Sequence, residues 1–139
     1  MNRDLENCKA LLEQEGLTCV IKQGESYYQF TERGIRPFMS LLENETDLTG
    51  TSCADKVVGK AAALLMQKAG ISTLYAGIIS EPATKVLTDA GIEYEYGTLI
   101  PRIQNRKGDG LCPMESAVMD ISDADEAYAV LREKLKTAK

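Results

Sequence analysis

The chain has 139 residues, a formal net charge of −5 and no histidine. This length predicts a single domain, residues 1–139, built around one hydrophobic core. The acidic balance argues against a general nucleic-acid-binding protein, because phosphate binding requires concentrated Lys and Arg. The lack of histidine removes the commonest general base and the commonest metal ligand.

The apolar runs are shorter than the roughly 18 residues that a membrane-spanning helix needs. The first residues are too acidic for a secretory signal. We therefore expect no membrane partner and a cytoplasmic location. The four cysteines, Cys8, Cys19, Cys53 and Cys112, are widely spaced, which in a reducing compartment favours free thiols over disulfides.

The first third of the chain predicts a helix, a hairpin and a short second helix. Apolar residues recur at helical spacing over residues 3–16. Two runs of β-forming residues, 17–23 and 26–31, flank a Gly-Glu turn and indicate an antiparallel hairpin. Pro37 is suited to open a short helix over residues 38–42.

The central stretch from Thr51 to Gly70 predicts a long helix. Its apolar residues recur at helical spacing, and Ser52 and Asp55 have the spacing of a capping box. Cys53 and Asp55 would then lie in the first turn, where free N–H groups and the helix dipole favour negative charge. The alternative is that Cys53 is a small buried residue and Asp55 only a cap.

Beyond residue 70 the pattern changes to alternating strands and helices. The predicted elements are a buried strand over 72–80, a helix from Glu81 to Gly91 capped by Ser80, a strand over 92–100, a short helix opening at Cys112-Pro113, and a last helix over 123–135 started by Ser122. The strand-helix-strand unit should form a parallel crossover. The predicted fold class is therefore α/β, with three α/β/α layers and a mixed sheet.

Ligands of such sheets bind beyond the carboxyl ends of the strands. Seven candidate residues should meet there if the central helix packs beside the crossover: Cys53, Asp55, Glu81, Asn105, Arg106, Cys112 and Glu115. We therefore expect one cleft at this edge of the sheet.

This order of elements resembles the cytidine deaminase-like fold. In that fold a His/Cys-Ala-Glu motif opens the second helix, and a Pro-Cys-x-x-Cys motif opens the third. Cys53-Ala54-Asp55 resembles the first motif, with Asp in place of Glu. The stretch 80–92 resembles the second motif, but Ala83 and Val86 replace its zinc-binding cysteines. The resemblance thus implies the fold without its zinc-ligand set, so we expect no metal and no cofactor.

Three further stretches resemble an uncharacterised small prokaryotic family of deaminase-like proteins that lack the zinc site. They are Cys-Ala-Asp-Lys-Val-Val-Gly at 53–59, Asn-Arg-x-Gly-x-Gly at 105–110, and Cys-Pro-Met-Glu at 112–115. That family has no established activity, so the resemblance implies a fold and no function.

The favoured interpretation is a domain that binds a small anionic or nucleotide-like ligand. The candidate ligand-binding residues are Cys53, Lys56, Glu81, Asn105 and Arg106. The glycines at 105–110 would let backbone N–H groups surround an anion, although the same loop could be a simple polar turn. The exposed N-termini of the central and late helices would add further contacts to the ligand.

Two other classes of function remain open. In a metal-independent enzyme, Cys112 would be the nucleophile and Asp55 or Glu115 the acid/base. A helix N-terminus lowers a thiol pKa, but two nearby carboxylates would raise it. A metal bound by Cys53, Cys112 and Glu115 would be an unusual ligand set. The third class is a non-catalytic scaffold or oligomerisation module.

Overall fold

The computed structural model of the chain describes residues 3–32, 34–104, 108, 110 and 112–137. Along these residues run α1 (Arg3–Gln14), β1 (Cys19–Gln23), β2 (Ser26–Phe30), α2 (Arg36–Glu43), β3 (Ser52–Val58), α3 (Lys60–Ala69), β4 (Thr73–Ser80), α4 (Glu81–Ala90), β5 (Glu93–Ile100), α5 (Pro113–Val118) and α6 (Ala124–Thr137). None of these helices is long and apolar enough to cross a membrane.

The five strands form one mixed sheet in the order β2-β1-β3-β4-β5. β1 pairs antiparallel with both β2 and β3. β3, β4 and β5 pair in parallel, with α3 and α4 in the two connections. The predicted hairpin and parallel crossover are both confirmed.

Helices cover both faces of this sheet. α1 packs on β1 and β3, and its Cys8 and Leu12 contact Val20 and Ala54. The neighbours of these two strand residues point to the opposite face, because side chains alternate along a strand. That face carries the larger core, which receives side chains from the other long helices: Phe38 of α2, Leu65 of α3, Leu87 of α4 and Leu131 of α6. The three-layer α/β/α fold is confirmed.

The helix ends follow local chemistry. The Ser80 hydroxyl accepts a hydrogen bond from the Ala83 N–H, as expected of the cap of α4. Gly70 and Gly91 adopt the left-handed conformation that ends α3 and α4. The last helix differs slightly from the expectation, because the Asp123 carboxylate, rather than Ser122, accepts the Glu126 N–H at its start.

The helix predicted from Thr51 to Gly70 is wrong in its first half. Residues 52–58 form β3, and the helix begins only at Lys60. β3 lies between β1 and β4, and all of its residues except Lys56 and Val57 are buried, so most of its sequence is small or apolar. Such a run also satisfies helical spacing, which explains the error. Cys53 and Asp55 are consequently strand residues and do not lie at a helix N-terminus.

Gly77 allows β3 and β4 to approach closely. A Cβ at this position would lie 2.8 Å from the carbonyl oxygen of Lys56 on the neighbouring strand. We therefore expect Gly77→Ala to lower the free energy of unfolding by roughly 1–3 kcal/mol, because backbone would have to move. Urea denaturation measures this loss, and an unchanged midpoint would show that the strands tolerate the methyl group.

Candidate functional site

The N-terminus of α3 is bound by a side chain from α5. Glu115 Oε1 accepts the Lys60 N–H and Oε2 accepts the Ala61 N–H, each at 2.7 Å. The carboxylate is buried, and it neutralises the positive end of the α3 dipole. Gly59, at the cap position of α3, has no side chain that could bind these N–H groups. Glu115, from a distant part of the chain, therefore acts as the cap.

The missing side chain at Gly59 makes this contact possible. A Cβ there would lie 2.6 Å from Glu115 Cδ and 2.8 Å from Ile103 Cγ1. The Lys60 ammonium completes the junction, because it donates to the carbonyl oxygen of Met119 at 2.8 Å. Both ends of α5 are thus held against the start of α3.

A groove of about 550 Å³ lies beside this junction, between α3 and α4. This volume is within the usual range for small-molecule sites, roughly 300–1,000 Å³. The described residues that line the groove are Lys60, Gln67, Pro82, Lys85, Val86, Asp89, Arg102, Gly110, Glu115, Met119 and Ser122. α5 and the segments on either side of it form the remaining wall.

Among the described residues of the groove wall, positive charges outnumber negative ones. The cations are Lys60, Lys85 and Arg102, and the carboxylates are Asp89 and Glu115. Glu115 is already bound to the two N–H groups of α3. In a chain with a net charge of −5, this is a local concentration of cationic side chains.

Of the described residues proposed from sequence, Glu115 lines this groove. Cys112 is half-buried at the cap position of α5, where its N–H donates to the Ile103 carbonyl. Glu81 is the exposed first residue of α4. Asn105 and Arg106 lie outside the described residues.

Cys53, Asp55 and Lys56 lie elsewhere. All three belong to β3, and among the described residues they are not part of the groove wall. Lys56 is exposed, whereas Cys53 and Asp55 are buried in the sheet. The predicted single cleft is therefore corrected, because the central helix that was to bring Cys53 and Asp55 to its rim begins at Lys60.

The buried thiols are poor nucleophile candidates. Burial raises the pKa of Cys53 and raises that of Cys8 to about 11. The hydrogen bond with Cys53, whose sulfur is 3.9 Å away, and burial raise the pKa of Cys19 well above its ordinary value. A thiol must ionise to react, so these three side chains should be inert.

We expect iodoacetamide at neutral pH to modify Cys112 roughly tenfold or more faster than the other three thiols, because Cys112 alone is not buried. Mass spectrometry of digested protein measures each rate, and urea-unfolded protein, in which all four should react, is the control. Equal or slower modification of Cys112 would remove the thiol-enzyme alternative.

The residues present do not fit the zinc ion that the deaminase resemblance would imply. Ala83 and Val86, in the first two turns of α4, have no ligand atoms. The helix that the resemblance placed at Cys53 opens instead with Lys60-Ala61-Ala62. Over the described residues, no group of three or more His, Cys, Asp or Glu side chains is arranged to hold a metal ion.

Sequence reasoning missed the cationic residues of the groove. Lys85 is three residues after Pro82 and one before Val86, so these three share a face of α4, and this spacing was a usable signal. Arg102 gave a weaker signal, because it gathers with Arg106 and Lys107 in a basic cluster that is a local anion site at most. Lys60 gave none, because its placement depends on how α3 packs.

The chain matches the family model described as "TM1506: Domain of unknown function (DUF1893)" over residues 7–135. It is similar to the crystal structure of a DUF1893 family protein (TM1506) from Thermotoga maritima, with 27% identity, a TM-score of 0.88, and coverage of 96% of this chain and 92% of that chain. No curated protein matches.

A second solved structure is a diaminohydroxyphosphoribosylaminopyrimidine deaminase/5-amino-6-(5-phosphoribosylamino)uracil reductase from Thermotoga maritima. It is 16% identical, with a TM-score of 0.43, and the match covers 83% of this chain and 40% of that chain. The family model, in contrast, spans almost the whole sequence. The chain belongs to the DUF1893 family, a domain of unknown function.

Proposed function

We propose that the groove between α3 and α4 binds a small anionic molecule. The observation that carries this proposal is the presence of Lys60, Lys85 and Arg102 around one groove of about 550 Å³ in an acidic protein. A groove of this size can hold a metabolite, and cations grouped around one cleft attract an anion more strongly than dispersed surface charges do.

Lys85 and Arg102 are the residues that we expect to contact the anionic group. Neither side chain is part of an ion pair along the described ranges. The planar guanidinium of Arg102 can donate two parallel hydrogen bonds to a phosphate or carboxylate, and Lys85 adds a compact positive charge. Lys60 has a different role, because its ammonium already donates to Met119.

The rest of the groove suits an uncharged body attached to that anion. Pro82, Val86 and Met119 contribute apolar surface, and Gln67 and Ser122 contribute hydrogen-bonding groups. A nucleotide-like molecule has these two parts, a phosphate and a planar body with polar edges. We therefore propose nucleotides and related phosphorylated metabolites as the ligand class.

The start of α3 should not bind the anion directly. Its first two N–H groups, those of Lys60 and Ala61, are already bound by Glu115. A ligand phosphate would have to displace this carboxylate to reach them. The sequence led us to expect that helix N-termini contact the ligand. We propose instead that side chains recognise the anion.

A thermal-shift panel tests the proposal with nucleoside monophosphates, nucleoside diphosphates, sugar phosphates and inorganic phosphate. A member that stabilises the wild type should bind about tenfold or more weakly to Lys85→Ala and to Arg102→Ala, because each loses a charge-assisted contact. Titration calorimetry with that compound measures the change.

Lys56→Ala is the matched control, since it removes an exposed lysine outside the groove. It should leave the affinity unchanged. If no compound stabilises the wild type, or if Lys56→Ala weakens binding as much as Lys85→Ala, the groove is not the binding site. A panel in which no compound stabilises the wild type would favour a scaffold role for the domain.

A further inference from the structure

β5 is the terminal strand of the sheet and is hydrogen-bonded to β4 on one side. The sheet order gives it no second neighbour among the described strands. It is eight residues long, and six of these residues are exposed. A long exposed edge strand offers backbone N–H and C=O groups to another chain, and proteins usually protect such edges.

Two of the usual protections of an edge strand, charged side chains and proline, are absent from the second half of β5. The sequence Tyr96-Gly97-Thr98-Leu99-Ile100 contains no charge and no proline. Tyr96 and Leu99 are each 44% exposed. An apolar stretch of high β-propensity is therefore open to solvent at the edge of the sheet.

The exposed apolar surface continues onto the adjacent strands. Ile78 of β4 is opposite Thr98 of β5, and Val57 of β3 is opposite Ile78. Ile78 is 37% and Val57 is 42% exposed. These residues form an exposed apolar row that runs inward from Thr98. The row lies on the face opposite to Leu99, because Leu99 pairs with the next residue of β4, the buried Ile79.

We propose that the β5 edge pairs antiparallel with the β5 edge of a second copy of this chain, about a two-fold axis. The charge pattern of the strand is the reason for this partner. Its two charges, Glu93 and Glu95, are both negative and both lie in the first half. Antiparallel self-pairing brings this acidic half opposite the uncharged half of the other copy, where Leu99 and Ile100 lie.

A parallel pairing of two copies would instead place each carboxylate next to its equivalent, and like charges on opposing strands are destabilising. The sequence of β5 is thus complementary to itself in one orientation only. A two-fold axis uses the same surface on both copies and closes the assembly at two chains. The two five-stranded sheets then form one continuous sheet without exposed apolar ends at β5.

Sedimentation velocity over a concentration series tests this proposal with two substitutions at one position. Leu99→Glu and Leu99→Lys remove the same apolar side chain but add opposite charges next to the partner's Glu93 and Glu95. The wild type should sediment as a dimer. Leu99→Glu should weaken the dimer roughly tenfold or more relative to Leu99→Lys, because only Glu meets like charge.

Circular dichroism and thermal unfolding of both variants establish that they fold, and Gln29→Lys on the opposite edge strand should leave the dimer intact. A wild type that is monomeric at 100 µM would overturn the proposal, because β5 would then not pair with a second copy of the chain. Equal dimerisation of Leu99→Glu and Leu99→Lys would also overturn it, since the pairing would not then follow the charge pattern.

Discussion

Replacing Glu115 with alanine is expected to lower the free energy of unfolding by about 3 kcal/mol or more. The substitution removes both hydrogen bonds to α3 and leaves the Lys60 and Ala61 N–H groups without their carboxylate. Hydrogen bonds to a charged group contribute about 1.5–3 kcal/mol each, and the lost interaction with the helix dipole adds to this. Urea denaturation at neutral pH measures the change.

Two control variants make this result specific. Glu115→Gln keeps the shape but can offer only one carbonyl oxygen, so its loss should be intermediate. Glu13→Ala removes an exposed carboxylate from α1, and its effect should remain within about 0.5 kcal/mol. A loss for Glu115→Ala as small as that for Glu13→Ala would contradict the role of Glu115 as the cap of α3.

Asp55 is expected to make the protein less stable as the pH rises from 5 to 8. Burial raises the pKa of this carboxyl from 3.8 to about 7 in the folded protein. Between these values the folded chain keeps a proton that the unfolded chain has released. The stabilisation from this group is therefore complete below pH 3.8 and is lost as the pH rises through about 7, at about 1.4 kcal/mol per pH unit.

The variant Asp55→Asn isolates this contribution, because its amide resembles the protonated acid and does not titrate. At pH 8 it should be more stable than the wild type by about 4 kcal/mol, and at pH 5 the gap should shrink to about 1–2 kcal/mol. Urea midpoints across this range measure the difference. Asp120→Asn, at an exposed position, should keep the wild-type pH profile.

A constant difference between Asp55→Asn and the wild type from pH 5 to 8 would show that Asp55 is ionised throughout. It would also show that the sheet stabilises the carboxylate by contacts beyond the backbone hydrogen bonds from Val57, at 3.4 Å, and Lys56. The two carboxylates thus differ in a testable way. On burial, the Glu115 carboxylate exchanges its bound water for two short hydrogen bonds. The Asp55 carboxylate loses its bound water and receives only weak hydrogen bonds.

Local signals were sufficient for much of the fold. The hairpin, the strands β4 and β5, and the caps of α4 were predictable because each depends on residues close together in sequence. The Gly-Glu turn between β1 and β2 acquires its conformation from residues a few positions away. The same holds for Ser80, whose hydroxyl accepts the N–H of a residue three positions later. The three-layer class followed from the order of these elements.

The interior strand β3 was not predictable from such signals. Residues 52–55 are all buried, so burial does not alternate along this half of β3, and the apolar residues of 52–58 satisfy helix and strand templates equally. Pairing with β1 and β4 decides between the two, and those partners lie more than 15 residues away in sequence. This one misassignment also displaced Cys53 and Asp55 from the sheet to an expected cleft.

By itself the sequence determined the acidic character, the α/β fold class and the absence of metal-ligand atoms from the side chains of Ala83 and Val86. Only the tertiary structure decided which residues meet in space. The contact of Glu115 with Lys60 joins residues 55 positions apart, and Arg102 and Lys85 line the same groove from different elements. Such contacts depend on how whole helices pack on the sheet, and a local pattern carries no information about that packing.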